Sequence, residues 1–328
     1  MRLVTRADFD GIVCGSLITL MEEIDSYLFV EPKFMQDGMV DIREGDIIAN
    51  LPYHSDCSLW FDHHVTNEPA WLSHIGVEDR GSKIEDRSSI LHPPSSVVPG
   101  KGGFRLAPSA ARVVYEYYEA GGNRKIQERL KVLGSERMRY LLEETDRIDA
   151  GQLVPEDVHH PEGYVLISMT LDGKRTEDEP YWLRLIELLR DHSLEETLKN
   201  SEVNKRCQQI LDAQEKLKEI LLKRTTLKGN VIFVDLRGIR DIPDGNRFLL
   251  YTLFPTGNIS LRVADDSQRP NTTAISVGYN IFNTTSKVNV GALLEKHGGG
   301  GHKVVGSCRV LTSEAEKAVR EIFEAIKE

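Results

Sequence analysis

Long apolar runs are scarce in this sequence. The richest near the start, Ile12–Met21 (IVCGSLITLM), falls well short of the roughly 20 residues that a bilayer-crossing helix needs. It also follows an acidic segment, which argues against a secretory leader. Cysteine is sparse too. Cys14, Cys57, Cys207 and Cys308 lie far apart with no C-x-x-C pair. That spacing argues against a zinc site and against a disulfide framework, leaving a reduced, cytoplasmic protein as the simplest expectation. Positive charge is in deficit: 41 Lys and Arg against 51 Asp and Glu give a net charge of -10. A protein that wraps duplex nucleic acid needs a basic face to displace counterions, so long polyanions are disfavoured. A short anionic substrate, held by metal ions and a few arginines, is not.

What is present describes a globular chain. Its 328 residues, 40% hydrophobic and 28% charged, suffice for two domains. Near the start, MRLVT reads as a strand, RADFDG as a turn and IVCGSLITLMEEI as a helix. DIIAN reads as a second buried strand and SLWF as another. Such alternation predicts an α/β domain with a largely parallel sheet, in which ligands bind beyond the carboxyl ends of the strands. Asp8, Asp10, Asn50 and the run Asp62-His63-His64 all fall at those ends. Glu68 to Pro108 reads as a long polar loop. Ser109 caps a helix that Gly121-Gly122 stops. A charged helical stretch then leads to four strand-like runs, NVIFVDL, RFLLYTLF, NISLRVA and TAISVGYNIF, and to a short helix, a glycine run and a last helix. The expected organisation is an N-terminal domain over 1–190, a helical linker over 191–228 and a smaller C-terminal α/β domain over 229–328.

Three segments could carry chemistry. In ADFDG, Asp8 and Asp10 are two residues apart, so an extended chain would turn both carboxylates to one side; oxygen ligands of this kind suit Mg²⁺ or Mn²⁺. The plainer alternative is that Asp10 caps the next helix and Asp8 is merely exposed. In FDHH, imidazole shifts the preference towards Mn²⁺. If the first histidine ligates, the second can face a phosphate. His159-His160, in a Pro- and Glu-rich loop with no buried strand before it, is a doublet without that context. In KHGGGGHKVVG, four successive glycines cost backbone entropy, which an anion-binding nest of amides beside His302 would offset.

Taken in order, D-x-D-G, then D-H-H after a strand, then G-G-G-G-H resemble the DHH phosphoesterase family with its C-terminal DHHA1 domain. TRADFDG, ANLPY and KGGFRLAPSAARVVYEYY look similar to its exopolyphosphatase-related subgroup. The resemblance implies two domains and one or two divalent ions, Mn²⁺ or Mg²⁺. It implies a metal set of Asp8, Asp10, Asn50, His63 and Asp146, with Asp149 as the alternative last ligand. His64 would be the catalytic, substrate-facing histidine, and Arg262, Gly299, Gly300, Gly301 and His302 would hold the substrate. The substrate class implied is a short anionic phosphate: an oligonucleotide, a cyclic or linear dinucleotide, or polyphosphate. No membrane partner is implied, and a homodimer is compatible with it. The chain departs from the family at two places. Val4 stands where many members have histidine or asparagine, and Asn50 where a bridging aspartate is usual. Both departures weaken the metal held by Asp8, so the reading of a metal-dependent phosphohydrolase has a rival in a non-catalytic nucleotide or phosphate sensor.

Overall fold

Short apolar runs, each closed by a polar residue, build the first sheet. Its strands are β1 (Arg2–Thr5), β2 (Ser26–Phe29), β3 (Asp46–Ala49), β4 (Leu59–Asp62), β5 (Val97–Val98) and β6 (Gly102–Phe104). They lie in the order β2-β1-β3-β4-β6-β5. All neighbours are parallel except β5, which runs antiparallel at the edge. Every residue of β3 is buried, the pattern of a strand covered on both faces. The helix Phe9–Met21 is buried nearly all round, so it is a central helix rather than an amphipathic one. It packs against helices Ala110–Glu119, Glu136–Asp149 and Glu179–Asp191. Ser16 Oγ donates to the Ile186 carbonyl at 3.0 Å, tying this central helix to Glu179–Asp191.

The computed structural model describes residues 1–74, 97–98, 100–121, 127–266 and 269–327. They fall into two units: Met1–Leu153 with Glu162–Cys207, and Val154–Pro161 with Gln208–Glu328. The charged stretch expected as a linker contains one long helix, Ser201–Arg224, and the division between units falls inside it. The segment from Glu68 to Pro108, expected as loop, holds the helix Glu68–His74 together with β5 and β6. Residues 75–96 and 99, and Gly122 of the expected helix stop, lie outside the described residues. No helix among the described residues is long and apolar enough to cross a membrane.

The second unit has its own sheet, from β7 (Thr225–Lys228), β8 (Val231–Asp235), β9 (Ile259–Asp265), β10 (Thr272–Tyr279), β11 (Gly300–Gly301) and β12 (Val305–Leu311). The order is β11-β12-β10-β9-β8-β7, antiparallel except for β8 and β9. Period-two alternation sorts its faces. Ile259, Leu261, Val263, Ile275 and Val277 join a core with helices Val290–Glu295 and Ala315–Ile326. Ser260, Arg262 and Ser276 therefore point to the opposite face. One run expected as strand, RFLLYTLF, instead contains the helix Leu249–Leu253. The Asn246 side chain accepts the Phe248 amide at 2.9 Å and starts the turn, and Pro255 follows the helix end.

The first turn of helix Phe9–Met21 leaves no room at Gly11. A Cβ there would lie 2.1 Å from the Arg6 carbonyl oxygen. Gly11→Ala is expected to cost about 1–3 kcal/mol through overpacking. Urea unfolding should show a lower midpoint with an unchanged slope; a wild-type midpoint would show that the turn relaxes freely.

Candidate metal centre

The site forms where β1, β3 and β4 end. Beyond β1, Asp8 caps the helix Phe9–Met21, its Oδ1 accepting the Gly11 amide at 2.9 Å. Asp10 is therefore in the first helical turn, and the two carboxylates do not share an extended segment. Asp10 is only 2% exposed. Its Oδ2 and Oδ1 accept the amides of Ala110 and Ala111, each at 2.8 Å. Those amides are orphans of a helix N-terminus, where donors and dipole both favour an anion. Ser109 caps that helix as expected, accepting from Arg112 N at 3.0 Å.

Beyond β4 come Asp62, His63 and His64. Asp62 is fully buried and accepts from Asn67 Nδ2 at 2.6 Å, while His64 Nδ1 lies 2.8 Å from its other oxygen. That hydrogen bond, against partial burial, raises the His64 pKa and favours its cationic form. His63 Nδ1 lies 3.0 Å from the Ala107 carbonyl. A carbonyl can only accept, so Nδ1 carries a proton, and Nε2 is the nitrogen available as a metal ligand. This Nε2 is buried without a hydrogen-bond partner, 3.4 Å from Asp149 Oδ2 and 3.9 Å from Asp10 Oδ2. Asp10, His63 and Asp149 thus offer three ligand atoms within 4.8 Å of one another. One imidazole nitrogen and two carboxylate oxygens suit Mn²⁺ better than Mg²⁺.

Electrostatics point the same way. Burial, then the charges of Asp149 and Asp8, push the Asp10 carboxyl well above the usual carboxylate range, against the pull of the Ala111 and Ala110 amides. Burial is also the main cause that raises Asp149. Anions crowded in this way are costly unless a cation joins them. A divalent ion fits that demand.

The sequence-derived residues divide. Asp10 and His63 lie in one cluster, and His64 sits beside His63 with Asp62 as its partner. Asn50 has a left-handed backbone (φ 58°), a conformation asparagine tolerates, and its Nδ2 donates to Asp8 Oδ1 at 3.0 Å. Asp146 is engaged elsewhere, accepting from Ser109 Oγ at 2.6 Å and pairing with Arg112. The alternative, Asp149, is the carboxylate beside His63. A sequence signal existed for it: Met138, Leu142 and Thr145 are buried in helix Glu136–Asp149, and Asp149 lies four residues beyond Thr145 on the same face. Arg6 and the hydrogen-bonding part of Asp62 escaped the sequence reading.

In the second unit, the glycine run is built for close approach. A Cβ on Gly299 would sit 2.2 Å from the Ser307 carbonyl oxygen, and one on Gly301, 2.3 Å from that of Val305. The amides of Gly299 and His302 already donate to Leu294 and Val305 carbonyls. They are spent on the fold rather than free for an anion, while Gly300 lies in β11 and the His302 ring is exposed. Arg262, by contrast, faces a cavity of about 990 Å³ with Ser260, Ser276, Tyr279 and Lys303. The guanidinium stays accessible to solvent, yet the cavity walls lower its pKa. Among the described residues it has neither an ion pair nor a hydrogen bond. Of the aromatic residues on these strands, Tyr279 lines the cavity, as do Phe248 and Tyr251 from the Leu249–Leu253 region.

No protein-family model and no curated protein matches this chain. Among solved structures it is similar to the pGpG-specific phosphodiesterase PggH of Vibrio cholerae. Identity is 30% and the TM-score 0.78, over 99% of this chain and 98% of that one. Exonuclease RecJ bound to manganese is more distant, at 14% identity and a TM-score of 0.49 over 99% and 89% of the chains. RecJ of Thermus thermophilus in complex with Mn²⁺ gives 15% and 0.48 over 99% and 52%; at these levels the likeness does not extend to function.

An ion bound only by the folded chain stabilises it, by about 2.7 kcal/mol at a hundred times its dissociation constant. Mn²⁺ should therefore raise the melting temperature of the metal-free protein. Asp149→Asn should abolish that rise, whereas Asp146→Asn, though less stable at the outset, should retain it. The reverse pattern would transfer the ligand role to Asp146.

Proposed function

The chain belongs to the DHH phosphoesterase family, with a C-terminal DHHA1 domain, and from that premise we propose that it is a divalent-metal phosphodiesterase acting on a short linear dinucleotide. The observation that carries the chemistry is the unpartnered Nε2 of His63, which lies between the buried Asp10 carboxylate and the more exposed one of Asp149. The full-length likeness to a pGpG-specific enzyme supports the substrate class. Asp10, His63 and Asp149 would hold Mn²⁺, or Mg²⁺ less well. The ion supplies Lewis acidity and a water of lowered pKa.

The chain's own residues do the rest. His64, anchored through Nδ1 to Asp62 and half exposed, presents Nε2–H as a donor to phosphoryl oxygens when the ring is cationic. Such a donor matters most where charge grows in the transition state. Asp62 keeps the ring oriented and protonated. In the second unit, Arg262 offers a planar fork suited to phosphate. Serine hydroxyls, with Phe248 and Tyr251, give the cavity a mixed polar and aromatic wall for a nucleotide. Gly299, Gly300, Gly301 and His302 shape the neighbouring hairpin, with His302 as the exposed donor. The acidic balance of the chain favours a substrate of few phosphates. A phosphate sensor without turnover is the rival reading, and the internal partners of Asp8 are the observation in its favour.

The test is hydrolysis in Mn²⁺ of pGpG, cyclic di-GMP and a short polyphosphate side by side. The expected result is conversion of pGpG and water to two GMP, with the other two spared. Turnover of polyphosphate alone would move the substrate class, and binding without turnover would favour the sensor. His64→Ala should lower kcat by about 10²–10³-fold. Arg262→Ala should raise KM by about tenfold or more while sparing kcat.

A further inference from the structure

Asp8 is placed to hold a cation, yet its bonding capacity is already committed. Its Oδ1 accepts the Gly11 amide at 2.9 Å and Asn50 Nδ2 at 3.0 Å, and its Oδ2 pairs with Arg6 Nη1 at 3.0 Å. An ionised carboxylate has about four acceptor sites, so little remains for a metal. Its neighbours cannot complete a second ion site. Val4 is fully buried in a core cluster with Met35, Ile48 and Trp60. Asn50 is 3% exposed and turns the donor end of its amide to Asp8, and a donor in that position repels a cation. Among the described residues, Asp8 joins no cluster of possible ligands, whereas Asp10 and Asp149 do.

We propose that Arg6 takes the place of a second divalent ion, so that the centre is mononuclear and carries a permanent cation beside it. This inference rests on the metal-phosphodiesterase reading above. Arg6 touches Asp8 through one nitrogen and lies 3.4 Å from Glu31 through another, while its Nε is buried without a partner. Its charge also reaches Asp149, opposing the burial that raises that carboxyl. A guanidinium keeps its charge at any working pH and needs no loading from solution. At 39% exposed, it remains open to a phosphoryl oxygen arriving at the site. Asn50 helps by holding Asp8 in place without adding a negative charge that would call for a second ion.

The experiment is a Mn²⁺ titration of the metal-stripped protein, followed by calorimetry and electron paramagnetic resonance. One ion per chain with an uncoupled six-line spectrum is expected. Two ions with a spin-coupled spectrum would overturn the inference and leave the metal-phosphodiesterase reading standing. No bound ion would sink that reading itself. The double variant Arg6→Ala/Asn50→Asp should take up a second Mn²⁺ and show coupling; a single uncoupled ion there would remove Arg6 and Asn50 as the excluding groups. Arg6→Ala alone guards against a double variant that fails to fold. It should keep one ion and lose about 10²-fold in kcat with KM little changed, partly restored by millimolar guanidinium. A wild-type kcat, or a loss that guanidinium leaves untouched, would refute the role given to its charge.

Discussion

A carboxylate buried among other carboxylates is the constraint around which the first unit is arranged. Asp10 is almost wholly enclosed, and Asp8 and Asp149 add repulsion. Two amides from a helix a hundred residues away meet both of its oxygens. That pairing fixes where the helix Ala110–Glu119 begins relative to the first helix. It also sets the carboxylate against the open ends of the parallel strands, the place where α/β sheets bind ligands. The remaining negative charge is left for a cation, and the free nitrogen of His63 shares in that task.

The histidine pair shows how neighbours with the same side chain acquire different duties. His63 is turned inward and its tautomer set by a backbone carbonyl; His64 is turned outward and its charge favoured by Asp62. The aspartate before them is the part that solvent never sees, yet it orients the exposed ring. His159-His160 has no such surroundings. It ends a short helix of the second unit, near a glutamine that binds backbone carbonyls.

Much of this was legible in the residues themselves. Strand ends carrying Asp8, Asn50 and His63 follow from short apolar runs broken by polar groups, and Ser109 was readable as a cap. The choice between Asp146 and Asp149 needed helical phase, because a three-residue step around a helix moves a side chain by about 300°. The role of Arg6 was not legible, since a long side chain finds its partner through the fold and not through spacing. The glycine run misled for another reason. An amide nest and a hairpin pressed against a helix both demand glycine, and only the carbonyl partners of Gly299 and His302 tell them apart. RFLLYTLF has the composition of a strand, but Asn246 and Pro255 bracket a helical turn within it.

The excursion Val154–Pro161 has a bearing on biogenesis. These eight residues belong with the second unit although they interrupt the chain of the first. Val158 is fully buried, and its carbonyl accepts the Gln214 side chain at 3.1 Å. Synthesis proceeds from the N-terminus, so this segment leaves the ribosome some fifty residues ahead of Gln214. The first unit can close over its sheet while a small apolar tab stays unsatisfied, waiting for the helices Ser201–Arg224 and Leu249–Leu253, which are made later. Completion of the second unit is thus coupled to a piece of chain delivered early, and truncating the protein at the unit boundary would leave that piece without its surroundings.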